Sequence, residues 1–434
     1  MPLIKRKFIE KVFSHFHISQ IFHILSIFLF NFCTAQDTTQ KIVPGRFNST
    51  EQEAKPYVIL ISADGFRYDL ADKYNAVNLL RLRKEGVAAE YMQPSFPSLT
   101  FPNHYTIVTG LYPAHHGLSD NTFYDEQRKS FYGMGNKAAV ADSSWYTGTP
   151  LWVLAEKQQL LSASFYWVAS ESAIQGVRPT YYYIYNDKIG IGSRIQTVKN
   201  WLSLPADKRP HFITFYFPEV DHAEHTYGTD SKEAAAAVQF VDESVGKMVA
   251  AVDSLHLPVN FIFVSDHGMT NVNTTETIPL PSAIDTSKFY IPFGDALVHL
   301  YAKNKADIIP TYKAIKKQAV DFEVYLINKT PKRWHYRKKD DAFERIGDMI
   351  LVPKLPKVFS ISRRPTTPGK HGFDPAITDM HASFYAWGPA FKEHLSIKGF
   401  ENVHVYPLIA KILGLHYDPQ AIDGKLQVLQ PVLK

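Results

Sequence analysis

The chain has 434 residues, 45% hydrophobic and 21% charged, with 22 glycines, 27 prolines and a formal charge of +5. That composition excludes disordered, collagen-like and coiled-coil chains and leaves room for one large α/β domain or for two domains. Part of the positive charge sits at the start, where Lys5, Arg6, Lys7 and Lys11 outnumber Glu10. The remainder is close to neutral and lacks the clustered basic excess of a nucleic-acid scaffold.

Residues 1–35 run from this basic start through an apolar stretch at 21–32 to Cys33, Thr34 and Ala35, the order of a secretory signal peptide with small residues at the cut. The apolar run is shorter than the roughly 20 residues of a spanning helix, so no stable membrane span is expected. Cys33, the only cysteine, leaves with the signal or carries a lipid. An exported chain without other cysteines has no disulfides and no thiolate chemistry, and a periplasmic or secreted location fits.

Residues 36–55 are polar, with Pro44 and Gly45, and read as a leader loop. From residue 56 to 434 apolar runs alternate with helical patterns. Strands are expected at Tyr57–Ser62, Ser162–Val168, His211–Phe217, Asn260–Ser265, Ala296–Tyr301 and Ala382–Trp387, and helices at Pro150–Leu161, Ser231–Leu255, Ile308–Val320 and Val403–Leu413. Alternation of this kind predicts a mainly parallel central sheet with helices on both faces. A smaller inserted lobe is expected within 285–365. The charged stretch Pro331–Asp348 reads as a solvated surface helix.

In such a sheet, ligands gather at the carboxyl ends of strands. Asp64 follows the first strand in Ser62-Ala63-Asp64-Gly65, a sequence that also suits a plain turn. Thr100 opens a helical pattern with Pro102 in its first turn and reads as an N-cap, where a hydroxyl lies in a positive potential that favours bound phosphate. Asp221 and His225 follow the third strand one helical turn apart, a spacing that suits metal ligation as well as a surface pair. Asp266 and His267 close the fourth strand, and adjacent residues there point to opposite sides. His371 lies between Lys370 and Gly372 in a loop before the last strand. Three Asp and three His, without sulfur, suit catalytic zinc better than structural zinc.

The order of these pieces resembles the nucleotide pyrophosphatase/phosphodiesterase family within the alkaline phosphatase superfamily. The matching residues are Asp64-Gly65, Thr100-Phe101-Pro102-Asn103-His104, Leu111-Tyr112-Pro113, Asp221 with His225 and Tyr227-Gly228, Ser265 to Met269, His371-Gly372 and Gly388-Pro389. The resemblance runs from about Tyr57 to the carboxyl terminus and implies an alkaline-phosphatase-like fold. It also implies two zinc ions, one held by Asp221, His225 and His371, the other by Asp64, Asp266 and His267 with the Thr100 oxygen. Two ions can clamp the attacking and leaving oxygens of an in-line displacement at phosphorus. Thr100 is then the nucleophile of a phosphothreonine intermediate, and Asn103 is expected to donate to a non-bridging phosphate oxygen beside the Thr100 N–H.

The resemblance further places Phe131 and Tyr227 around a nucleotide base. The expected substrate is a small phosphodiester, a nucleotide or nucleotide ester cleaved to the monophosphate, with a choline-headgroup or lysophospholipid ester as the alternative on the same site. Two features depart from the family, which usually has Pro and Gly where this chain has Val220 and Glu224.

Overall fold

The computed structural model describes residues 38–361 and 365–434; the expected signal segment and Cys33 lie outside the described residues. The central nine-stranded sheet is built from β1 (Lys41–Ile42), β2 (Tyr57–Ala63), β3 (Val87–Ala89), β4 (Ser162–Phe165), β5 (Tyr181–Tyr182), β6 (Phe212–Phe217), β7 (Val259–Val264), β8 (Phe384–Trp387) and β9 (Leu395–Ile397). Their order is β1-β5-β4-β6-β2-β7-β8-β3-β9. The five strands from β5 to β7 run parallel, whereas β1 and β8 are antiparallel to their neighbours. The sheet is therefore mixed, with a parallel centre.

The period-two alternation of the central strands sends alternate side chains into two apolar layers. Val58 and Leu60 of β2 face α1 (Thr100–Thr109), α2 (Leu151–Lys157) and, further along the chain, Val405–Leu413. Ile59 and Ile61 face the opposite layer, where Ile195, Val198 and Trp201 of α3 (Ile191–Leu202) meet Val238, Val241 and Val245 of the long helix Lys232–Asp253. Since β2 is buried along its whole length, both faces are covered, as a parallel sheet requires. Between β6 and that long helix lies α4 (Glu219–Tyr227).

The strand expected at 162–168 stops at Phe165 because Tyr166 turns to a φ of 68°. The expected leader loop contributes β1, which pairs along the sheet edge with Tyr181 and Tyr182.

A second sheet, antiparallel throughout, takes Phe289–Tyr290, Val298–Ala302, Met349–Pro353 and Phe322–Leu326 in that order, with the helix Ile308–Gln318 packed through Ile315. The surface helix expected at 331–348 does not form. A single 3-10 turn, Lys332–Trp334, is followed by turns, because Trp334 and Tyr336 are buried and Arg345 turns inward. Its guanidinium donates to Asp125 Oδ2 at 2.8 Å and to the carbonyls of Gly117 and Trp145 at 2.9 and 2.8 Å. Asp125 belongs to the hairpin Thr122–Asp125/Ser130–Gly133, so this buried pair fastens the hairpin to the connection between two strands of the second sheet.

Candidate active site

The carboxyl ends of three adjacent parallel strands supply the centre of the site. Asp64 follows β2, α4 with Asp221 and His225 follows β6, and Asp266 and His267 follow β7. The backbones interlock there: Asp64 N–H donates to Phe217 O at 2.8 Å and Asp221 N–H to Asp64 O at 3.2 Å. Gly65 permits this approach. It has a φ of 68°, and a Cβ at that position would lie 3.2 Å from Asp221 Cα.

Two groups of donor atoms converge. In the first, Asp221 Oδ1 lies 3.3 Å from His225 Nε2 and 3.6 Å from His371 Nε2, and the two imidazole nitrogens are 3.1 Å apart. In the second, His267 Nε2 lies 3.5 Å from Asp64 Oδ1, 3.0 Å from Asp266 Oδ2 and 3.2 Å from Thr100 Oγ1. The rings of His267 and His371 stack with centroids 3.6 Å apart, which brings the groups side by side.

The remaining hydrogen bonds show what the convergence is for. Nδ1 of His225, His267 and His371 lies 2.8, 2.9 and 2.9 Å from the carbonyls of Gly369, Gly268 and Ser98. An imidazole that donates from Nδ1 to a carbonyl presents a lone pair at Nε2. Opposite these lone pairs, Asp64 Oδ1, Asp221 Oδ1 and Asp266 Oδ2 are buried with no hydrogen-bond partner. Buried carboxylates without donors are costly unless a cation neutralises them. The residues fit metal ions in both groups.

Electrostatics without metal carry the same message. Burial, then the charges of Asp266 and Asp221, push Asp64 well above the usual carboxylate range. Burial opposes ionisation of Asp266 as well, but His267 and His104 hold it well below that range. Burial and the neighbouring His267 and His225 push His371 down, keeping its imidazole neutral.

Thr100 stands one residue further into the helix than expected. Leu99 is the N-cap, and the Thr100 hydroxyl faces His267 instead of capping. Its N–H, at the first helical position, has no protein acceptor among the described residues, and it points with the positive end of the helix dipole.

Asn103 corrects the sequence reading. Its side chain is completely buried: Nδ2 donates to the carbonyls of Pro97 and Leu99 at 2.8 and 2.9 Å, and Oδ1 accepts from Ser95 N–H and Asn402 Nδ2 at 2.7 and 2.9 Å. No donor remains for a substrate. Asn121 instead reaches the opening of α1. Its Oδ1 accepts from Phe101 N–H at 2.9 Å, beside Thr100, and its Nδ2 has no protein acceptor among the described residues.

The two rings of the expected aromatic pair have different surroundings. Phe131 packs against Tyr124 and Tyr290, with centroids 5.0 and 6.1 Å away, and Tyr227 ends α4 half exposed, with no ring contact among the described residues. Two other rings adjoin the donor groups: Phe101, next to Thr100, and Tyr185, half exposed and edge-on to Tyr216. The Tyr216 hydroxyl donates to Asp64 Oδ2 at 2.6 Å. Sequence reasoning also missed His104, whose Nε2 meets Ser62 Oγ at 2.9 Å while Nδ1 lies between Thr100 O and Asp266 Oδ2, at 3.0 and 3.3 Å. Its place one helical turn after Thr100 was the available signal.

Residues 58–374, which hold both donor groups, match the family described as type I phosphodiesterase/nucleotide pyrophosphatase. The chain belongs to that family. Ectonucleotide pyrophosphatase/phosphodiesterase family member 1 of Mus musculus is 33% identical over 402 residues, 88% of this chain and 42% of that protein. The venom phosphodiesterase CdcPDE of Crotalus durissus collilineatus is 33% identical over 391 residues, 87% of this chain and 46% of that protein. The chain spans less than half the length of these curated relatives.

Human ectonucleotide pyrophosphatase/phosphodiesterase 5 superposes with a TM-score of 0.81 at 26% identity, covering 87% of this chain and 100% of the other. Its murine counterpart, solved as an inactive threonine-to-alanine variant in complex with AMP, gives a TM-score of 0.81, 26% identity and 88% coverage of this chain. Within the type I phosphodiesterase fold the two departures are absorbed locally. Val220 joins the core, and Glu224 is fully buried with both carboxylate oxygens lacking hydrogen-bond partners. Burial pushes Glu224 well above the usual range, opposed chiefly by Arg67.

Proposed function

We propose that this chain is a two-zinc phosphodiesterase/pyrophosphatase, acting outside the cytoplasm, that cleaves nucleotides or nucleotide esters to the nucleoside monophosphate through a phosphothreonine at Thr100. The observation that carries this reading is the approach of a helix-opening hydroxyl to a buried imidazole and carboxylate set whose free atoms all converge. The nitrogen and oxygen donors suit zinc, with one ion held by Asp221, His225 and His371 and the other by Asp64, Asp266, His267 and Thr100. When bound, the ions supply Lewis-acid stabilisation of the attacking and leaving oxygens.

The chain's own groups do the rest. Thr100 Oγ1 forms the new bond to phosphorus as the leaving oxygen departs, and water later displaces Thr100. The Thr100 N–H and Asn121 Nδ2 donate to a non-bridging oxygen as its charge grows. Phe101 and Tyr185 offer faces for a base, since any base can stack on an aromatic ring. The murine relative that is inactive with alanine in place of a threonine, and that holds AMP, supports both the nucleophile and the nucleotide.

The reading is tested by nitrophenol release from the nitrophenyl ester of thymidine monophosphate. Turnover is expected to disappear on chelation, return with zinc and exceed that of nitrophenyl phosphorylcholine. Preference for the choline ester would move the substrate to lipid headgroups, and no turnover of either would end the enzymatic reading. Asn121→Ala is expected to lower kcat by about 10²- to 10³-fold. Asn103→Ala should instead cost about 1–3 kcal/mol of stability by leaving buried partners unpaired, a contrast that urea melts and steady-state kinetics read together.

A further inference from the structure

The two metal-ligand groups differ in how their carboxylates are held. Tyr216 lies on β6 directly beside Ser62 of β2, and its hydroxyl engages Asp64 Oδ2 at 2.6 Å. Asp64 Oδ1 is left facing His267. Asp266 follows the same pattern. Its Oδ1 accepts from Gly65 N–H at 3.2 Å, and its Oδ2 is left facing His267. In each residue one oxygen is committed to a protein donor and the other is presented.

Asp221 has no such arrangement. Among the described residues no hydrogen-bond donor engages either of its carboxylate oxygens, and its nearest neighbours are the two imidazoles that would share its metal.

Tyr216 is itself fixed. Its ring lies between those of His104 and Tyr185, with centroids 5.3 and 6.1 Å away and steep interplanar angles. Its carbonyl accepts from Arg194 Nη2, and that guanidinium is packed 4.8 Å from the Phe215 ring and 5.2 Å from Phe217. Asp64 is 1% exposed, so bulk water is not at hand to replace a missing phenol at Oδ2. A ligand already ordered before metal arrives loses less freedom on binding, and partners that orient ligands in this way tune affinity.

We infer that Tyr216 is a positioning residue that makes the site of Asp64, Asp266 and His267 the tighter of the two metal sites. The inference rests on the two-metal reading above, and the loading order follows from it. Metal enters first beside Thr100 and second at Asp221, His225 and His371.

The test is calorimetric titration of zinc into metal-stripped protein, read without any turnover. Wild type is expected to show two binding steps. Asp221→Asn should abolish the weaker step and keep the tighter one. Tyr216→Phe should weaken the tighter step by about 10- to 100-fold and leave the weaker step in place. A merely structural role for Tyr216 would weaken both steps alike, and that result, or an unchanged tighter step, overturns the inference. So does loss of the tighter step in Asp221→Asn. A wild-type chain that takes up no zinc, or a single ion, overturns the two-metal reading instead.

Discussion

Thr100→Ala is expected to lose nucleotide-ester hydrolysis by at least about 10³-fold while taking up metal at close to the wild-type level. The substitution removes one hydroxyl at the opening of α1, a position where alanine is an excellent helix former, so the fold has no reason to change. Six other side chains remain to ligate metal, and the buried carboxylates still face their imidazoles. What disappears is the hydroxyl proposed to exchange a bond with phosphorus. Thr100→Ser should recover a measurable fraction, because it restores the nucleophile without the methyl group. Steady-state rates with the nitrophenyl ester, set beside zinc content by atomic absorption, decide the matter. An alanine variant of near wild-type rate would remove Thr100 from the chemistry.

The second large effect is on stability. Arg345→Met is expected to destabilise the protein by about 3–5 kcal/mol, because it strips the cation from a buried pair and leaves the partner charge behind. The side chains of Arg345 and Asp125 are 4% and 2% exposed, so water does not compensate. Adding Asp125→Leu to the single variant should recover part of the loss, since the stranded charge is then gone. Urea unfolding of the two variants is the measurement, and a single-variant loss below about 1 kcal/mol would show the pair to be dispensable. The hairpin fastened by this pair begins next to Asn121, and Met134 N–H returns to Asn121 O at 2.9 Å. Loosening it should therefore also reduce kcat.

The converging carboxylates and imidazoles were legible in the sequence because each follows an apolar run or sits in a glycine-flanked loop, and a parallel sheet collects such positions at one end. Spacing along a helix was less dependable. Asn103 lies one turn after Thr100, yet the carbonyls of the preceding loop capture its amide, whereas Asn121 arrives from a separate segment with no periodic signal. Aromatic positions carry as little periodic signal. Exposed rings occur all over this chain, and only the fold shows that Tyr185 reaches Tyr216 while Phe131 is occupied by Tyr290. The direction of β8 was hidden as well, because a buried strand reads as the same apolar run whichever way it points. The stretch 331–348 looked like a charged surface, but Trp334, Tyr336 and Arg345 are fastened inward.

The small strand β1 has a practical consequence. Val43 N–H donates to Thr180 O at 2.9 Å, and the Trp201 indole donates to Gln40 Oε1 at 3.0 Å, so the few residues preceding the main body form a selvedge along the last parallel strand. A shortened expression form that starts at Pro44 would leave the backbone of Tyr181 and Tyr182 bare beside an aromatic surface, an invitation to edge-to-edge association. One that starts at residue 36 keeps the border sewn.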